Sequence, residues 1–519
     1  MAIKIYAYII KMLKCSIYLV CIVLLTSSFT NDLTFENEPY QVQEFVISNE
    51  ILFLRNILDS IIDDYDNLDF KAGIKIISLR DNQTLYEKNS DLELIPASNM
   101  KVITTAAAFD LLGKDFQWTT TFYKSGNIND RILEGDLYVR VTGDPTWNDR
   151  FRRNIINETF KGFVNLLKIN GIDKVKGNIY IALGSFHDIN LGFGWKEENR
   201  NHTYSAKPSA IAFNDNSIQL RINPVTSGMK AKISVVPVSE GIEIENNVSI
   251  TANRRNQYFE FITDSIENKI TVNGRIFQKS RTQYRSLSVT RPDIYALQVF
   301  KAKLIENGLK IYGDIDYKNL DDETFFMNQY EYLFSHHSLP AIEVINEINK
   351  NSNNFMANQI FLTLGDQLQS TWQAEQIIRQ WLNDYKVNAQ NLKMFDGSGL
   401  SPYNLCSAEI LTAILQIMYN REDFKDFFNS LAITGVDGTL EYQFKYSLLR
   451  SEVYAKTGTI SGVRSLSGYT FTKDREPIAF SIILNKADNK MSFSSSLIER
   501  ILTEIVLFSR NQELFVSVN

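Results

Sequence analysis

An α+β fold carrying a long β-rich insertion is predicted by three stretches of this 519-residue chain. First, a β-hairpin over residues 72–86 leads into a helix that is apolar or small nearly all round, Val102 to Leu112. Second, short strands between Gly, Asn and Asp clusters fill most of residues 118–330. Third, helices return from Pro340 and strands reappear near the C-terminus. One α+β domain interrupted by an insertion is the economical arrangement. The early helix and the C-terminal third would then share a core and a site.

The N-terminus has the layout of a secretory signal. Lys4, Lys11 and Lys14 precede the apolar run Ile17–Leu25, and the small residues Thr26, Ser27 and Ser28 follow. Nine apolar residues are short for a membrane span. Residues 1–28 are therefore read as signal peptide and 29–50 as a polar, acidic linker. The protein is expected to be exported to the periplasm or cell envelope, with peripheral membrane association left open. Cys15 and Cys21 fall within the signal, so the mature chain would retain only Cys406 and no internal disulfide. A buried structural thiol is the expectation for Cys406. The net charge of −6, with no segment concentrating Lys and Arg, excludes a nucleic-acid partner.

Ile51–Tyr65 has helical apolar spacing, whereas Ala72–Leu79 and Thr84–Tyr86 read as strands joined by the Asp81-Asn82 turn. Pro96 suits the first turn of the following helix, and Gly113 its C-terminal cap. In the β block, strands are expected at Trp118–Phe122, Leu137–Val141, Gly177–Ala182, Ser217–Ile222, Lys232–Val238, Ile242–Glu245 and Tyr258–Ile262. Two helices, Asp149–Leu167 and Asp293–Asn307, interrupt them. His336-His337 reads as loop. The later helices are Ala341–Asn349, Asn354–Leu364, Thr371–Asn383, Ser407–Tyr419 and Ser492–Phe508. The later strands are Val453–Lys456, Ser465–Phe471 and Ile478–Leu484.

Ser98 and Lys101 lie three residues apart, which on a helix puts both on one face. A hydroxyl beside an amine in apolar surroundings is a simple activated nucleophile. The spacing alone is weak, because Ser227-Gly228-Met229-Lys230 repeats it in a context that is not helical. Two further pieces add weight: Ser352-Asn353-Asn354 just before a helix, and Lys456-Thr457-Gly458-Thr459 at the end of a strand. Lys124-Ser125-Gly126-Asn127 mimics both, but comes too early in the chain. In the order Ser98/Lys101, Ser352/Asn354, Lys456/Thr457 these pieces follow the serine β-lactamases and penicillin-binding proteins.

The flanking residues resemble the class C low-molecular-mass penicillin-binding proteins, the D-alanyl-D-alanine carboxypeptidase/endopeptidase family. Lys456–Tyr469 is similar to that family's final motif. Asp396-Gly397-Ser398-Gly399-Leu400-Ser401 and Gly435-Val436-Asp437-Gly438-Thr439-Leu440 resemble two more of its signatures. Gly143-Asp144-Pro145-Thr146 and Phe213-Asn214-Asp215-Asn216 resemble motifs of its insertion. The match runs from about residue 50 to 508. Two departures stand out: Asn353 where many relatives have Asp, with little effect expected, and Pro402 where the family usually has Arg.

The resemblance implies a penicillin-binding-protein or serine β-lactamase-like transpeptidase domain at 51–117 and 331–510. A β-rich inserted domain would occupy 118–143 and 214–330, with a second one nested at 144–213. It implies a serine peptidase that forms an acyl-enzyme on Ser98 with D-Ala-D-Ala stem peptides of peptidoglycan and is acylated by β-lactams. Lys101 would take the Ser98 proton, its pKa lowered by burial or by a neighbouring cation such as Lys456. Ser352 would relay the proton, and Asn354 would hold Lys101 and the substrate amide. Lys456, Thr457 and Thr459 would bind the substrate carboxylate, with Gly458 and Ser398 also at the binding site. The N–H groups of Ser98 and Thr459 would form the oxyanion hole. No metal or cofactor is expected: His187, His202, His336 and His337 show no ligand spacing. A β-lactamase-like hydrolase and a non-catalytic peptidoglycan-binding relative are the alternatives. The first lacks an evident deacylating Glu, and the second is disfavoured by the complete residue set.

Overall fold

The computed structural model describes residues 48–182, 192–225, 230–318, 329–365, 371–488 and 490–510. The expected signal peptide, nearly all of the expected linker, and Ser227 lie outside them. From Asn49 onward the chain forms one compact unit.

A six-stranded antiparallel sheet anchors the site. Its strand order is Ala432–Ile433, Val453–Ile460, Val463–Phe471, Pro477–Asn485, Lys71–Ser78 and Thr84–Lys88. The first hairpin thus docks directly on the last strand, Ile76 opposite Phe480. The central strands are covered on both faces, so they read as near-continuous apolar runs. Phe480, Ile482 and Leu484 face a core shared with helices Asn49–Asp63 and Ser494–Leu507. Ala479 and Ile483 face the other core, built on helix Met100–Leu111. Every residue from Met100 to Phe109 is buried, and helices Ala341–Asn351, Asn354–Leu364 and Ala408–Tyr419 share that core. Truncating a ring such as Phe109 there costs about 3–5 kcal/mol.

The helix after Pro96 begins later than its sequence suggests. Ala97–Asn99 is a 3₁₀ turn and the α-helix starts at Met100, so Ser98 sits on the turn and Lys101 in the first helical turn. Ala97 takes φ +47°, a left-handed value unfavourable for a residue with a Cβ. A short left-handed step before Ser98 sets the turn apart from a continuous helix. Likewise, Lys456-Thr457-Gly458 lies inside strand Val453–Ile460 rather than at its end.

The insertion contains a mixed five-stranded sheet, ordered Ile315–Lys318, Ile179–Ala182, Leu137–Arg140, Thr119–Lys124 and Glu331–His337. Helices Ile155–Ile169 and Pro292–Glu306 pack in the same core. Two three-stranded sheets follow, one centred on Ser217–Asn223 and one on Lys269–Phe277. The five-stranded sheet crosses the expected boundaries at 143/144 and 330/331. It takes Ile179–Ala182 from the segment expected to be nested, and Glu331–His337 from the segment assigned to the peptidase domain. His336-His337 is therefore strand, not loop. Partner choice between strands is non-local, and composition does not encode it. Strand Lys269–Phe277 was also unforeseen despite its alternating burial, as were strand Gln283–Ser288 and helix Phe424–Ser430, which are short or strongly polar.

Candidate active site

Two lysines, both fully buried, organise the site. Lys101 Nζ lies 2.9 Å from Ser98 Oγ, 2.6 Å from Asn354 Oδ1 and 2.6 Å from the Ser398 carbonyl oxygen. The two 2.6 Å partners can only accept, so a neutral amine spends both its protons on them. Its lone pair is then left for the Ser98 hydroxyl, the geometry a general base requires. Burial lowers the Lys101 pKa from its ordinary 10.5 to about 7, against the opposing pull of the Asp396 charge. Of the two causes expected, burial or a neighbouring cation such as Lys456, burial is the one at work. Lys456 is itself pushed well down, first by burial and then by repulsion from Lys101.

Lys456 Nζ donates to Ser352 Oγ at 2.9 Å and to the Thr457 carbonyl at 2.8 Å. Ser352 ends helix Ala341–Asn351 at φ +59°, a left-handed turn residue carrying a side chain. Asn353 then caps the next helix, its Oδ1 accepting from Met356 N at 2.9 Å. Its Nδ2 donates to Asp215 Oδ2 at 2.9 Å. Asp215 is buried and also accepts from Asn148 and Arg150. Asn353 is thus a structural tie between the Phe213–Asn216 turn and the Ser352 turn, more consequential than its sequence position suggests.

Asn354 departs partly from expectation. Its oxygen holds Lys101, but its Nδ2 donates to the Tyr204 carbonyl at 2.9 Å and does not point freely toward a substrate amide. Thr457 Oγ1 pairs with Thr439 Oγ1 at 2.8 Å, which brings in Thr439 from the Gly435–Leu440 signature. Gly458 is required by close approach: a Cβ there would meet Pro96 O and Ser465 Oγ, and Ser465 Oγ donates to Pro96 O at 2.6 Å. The strand can therefore press against the turn that carries Ser98. Ser98 and the exposed Thr459 both line the cleft.

Ser398 is corrected from substrate contact to internal support. Its side chain is fully buried, with Oγ on Asp396 Oδ1 at 3.1 Å, and only its carbonyl reaches Lys101. The residue missed in that loop is Asp396. An Asp followed by Gly-x-Gly could have signalled it, since such a carboxylate collects the N–H groups of its own turn. Gly399, at φ +80°, lies so close to the Ala97 carbonyl that no Cβ could fit.

The cleft at Ser98 has a volume of about 600 Å³. Its walls include Ser352, Asn354, Leu400, Pro402 and Thr459, with Trp195, Lys196, Asn199 and Tyr204 supplied by the inserted segment. No carboxylate is among these described lining residues. The insertion residues had no sequence signal beyond the glycines flanking Phe193. Cys406 is buried, and burial pushes its thiol far above its ordinary range, as befits a structural residue.

Comparison with known proteins accords with this arrangement. The model of the D-Ala-D-Ala carboxypeptidase 3 (S13) family matches residues 54–502. A D-alanyl-D-alanine carboxypeptidase of Actinomadura sp. (strain R39) is 26% identical over 446 residues, covering 83% of this chain and 81% of that protein. The crystal structure of penicillin-binding protein 4 (dacB) from Haemophilus influenzae superposes with a TM-score of 0.74 at 23% identity, covering 86% of this chain and 99% of the other. The same H. influenzae protein in complex with a β-lactam gives a TM-score of 0.69 at 22% identity, covering 87% and 99%.

Proposed function

The chain belongs to the D-Ala-D-Ala carboxypeptidase 3 (S13) family and is a serine-type peptidase, and we propose that it hydrolyses peptidoglycan stem peptides ending or cross-linked through D-alanine, by way of an ester on Ser98. The observation that carries this reading is the buried Lys101 Nζ 2.9 Å from Ser98 Oγ, with pure acceptors as its other two partners.

In this reading Ser98 Oγ attacks the carbonyl of the penultimate D-alanine while Lys101 takes the hydroxyl proton. The N–H groups of Ser98 and Thr459 stabilise the oxyanion, a contribution of about 3–4 kcal/mol per donor. The C–N bond breaks as the leaving amine takes the proton that Lys101 gained, by way of the Ser352 hydroxyl, which Lys456 hydrogen-bonds, and Lys101 is neutral again. Water then attacks the ester, Lys101 again removing a proton, and Ser98 is released. The hydroxyls of Thr457 and Thr459 hold the substrate carboxylate, with the Lys456 amine beside them. β-Lactams enter the same path at Ser98 and remain as esters.

Export to the periplasm or cell envelope, on the strength of the N-terminal charge and hydropathy pattern, belongs to the same proposal, as does stem peptide as the physiological partner. The absence of a carboxylate among the described cleft-lining residues favours slow deacylation of β-lactams, hence a peptidase over a β-lactamase. Incubation with purified muropeptides followed by mass analysis tests the reading. Loss of one D-alanine from monomers marks carboxypeptidase action, and conversion of dimers to monomers marks endopeptidase action. Unchanged muropeptides would overturn it.

A further inference from the structure

The segment Gly192–Trp195, from the insertion, is fitted onto the loop Phe395–Tyr403 that carries the Lys101 acceptor. Phe193 stacks on Phe395 with ring centroids 5.1 Å apart and packs on Tyr403 at 4.9 Å. Ser401 Oγ donates to the Phe193 carbonyl at 2.8 Å. Gly194, at φ +79°, lies where a Cβ would strike the Tyr403 ring. At the centre, Trp195 Nε1 donates to Asp396 Oδ2 at 2.8 Å.

Asp396 is fully buried and shapes the whole loop. Its Oδ1 accepts from the N–H groups of Ser398, Gly399 and Leu400 and from the side chains of Ser398 and Asn404. Its Oδ2 accepts from Ser401 N at 2.7 Å as well as from Trp195. The turn so fixed presents the Ser398 carbonyl to Lys101 Nζ.

We propose that Asp396 is a positioning residue for the acylation step, holding the Ser398 carbonyl against Lys101 so that the amine faces Ser98, and that Trp195 is the latch by which the insertion keeps Asp396 in place. The insertion is then part of the catalytic apparatus, and not only a wall of the cleft. The inference rests on Lys101 acting as the base. The titratable groups facing Lys101 are Asp396 from this loop and Lys456 from the strand. Asp396 favours the protonated amine, so its negative charge and its hold on the loop have separable effects.

The test is the pH profile of the maximal acylation rate with a chromogenic penicillin, measured on the full chain for the native protein, Trp195→Phe and Asp396→Asn. Trp195→Phe keeps the ring and removes the N–H; its maximal rate is expected to fall about tenfold, with the melting temperature close to native, as suits loss of one hydrogen bond to a charged group. Asp396→Asn is expected to lower the maximal rate and to move the acidic limb to lower pH, because the charge opposing deprotonation is gone. A merely structural role would reduce the amount of active protein and leave the limb in place. A native maximal rate in Trp195→Phe, or an unmoved limb in a folded Asp396→Asn, would overturn the proposal; if Asp396→Asn fails to fold, Trp195→Phe decides it. Failure of the native protein to acylate would instead overturn the peptidase reading itself.

Discussion

Lys456 Nζ donates to Ser352 Oγ across 2.9 Å, joining the middle of a strand to the left-handed turn between two helices. These residues are 104 positions apart. Their bond ties the strand to that turn, and it aligns the hydroxyl that would carry a proton to the leaving amine. Ser352→Ala should therefore slow penicillin acylation by about 10²–10³-fold, the scale of one positioned proton-transfer group. Stopped-flow acylation kinetics, with Ser98 still slowly modified, would give that result.

The burial of Lys101 fixes the pH dependence. The base must be neutral, and its pKa is lowered to about 7, so the acylation rate should rise with pH and reach half its maximum near pH 7. The sign for stability follows from the same shift. Between about 7 and 10.5 the unfolded chain holds a proton at Lys101 that the native chain has lost. That group therefore makes the protein more stable as pH rises through this interval. Acylation rates and melting temperatures across pH 5–10 check both signs.

Asn353→Asp tests the tie between the insertion and the Ser352 turn. A carboxylate there would face the buried Asp215 carboxylate, whose pKa burial already raises, where an amide N–H now donates. The helix cap would survive, because an Asp oxygen also accepts from Met356 N. A loss of about 1–3 kcal/mol is expected from replacing a donor by a like charge, and denaturant unfolding measures it. The same substitution together with Asp215→Asn should recover most of the loss.

Gly399→Ala should abolish folding of the turn that carries Ser98 or displace it. Both the positive φ and contact with the Ala97 carbonyl exclude a Cβ. We expect destabilisation of at least about 2 kcal/mol together with loss of acylation. Near-native acylation by this variant would show that the loop and the turn move independently.

The elements with a strong period or a buried apolar run were legible in the sequence. Helix Asn354–Leu364 has the bounds its pattern predicts, and the Ser98, Ser352 and Lys456 pieces do converge. What was not legible depended on pairing and on aim. No local signal says that Glu331–His337 joins Thr119–Lys124, or that the side chain of Ser398 turns inward while its carbonyl serves Lys101. Trp195 reads as one aromatic among many until the fold brings it to Asp396. The left-handed φ values of Ala97 and Ser352 were invisible for a related reason: tertiary packing imposes them against local preference.

The most direct test of the account is covalent labelling of Ser98. Incubated with labelled penicillin, the native protein should gain one adduct by intact mass, and peptide mapping should place it on Ser98. The variant Ser98→Ala, folded as judged by its melting temperature, should gain none. An adduct on the variant, or on any other residue of the native protein, would contradict the assignment of Ser98 as the nucleophile.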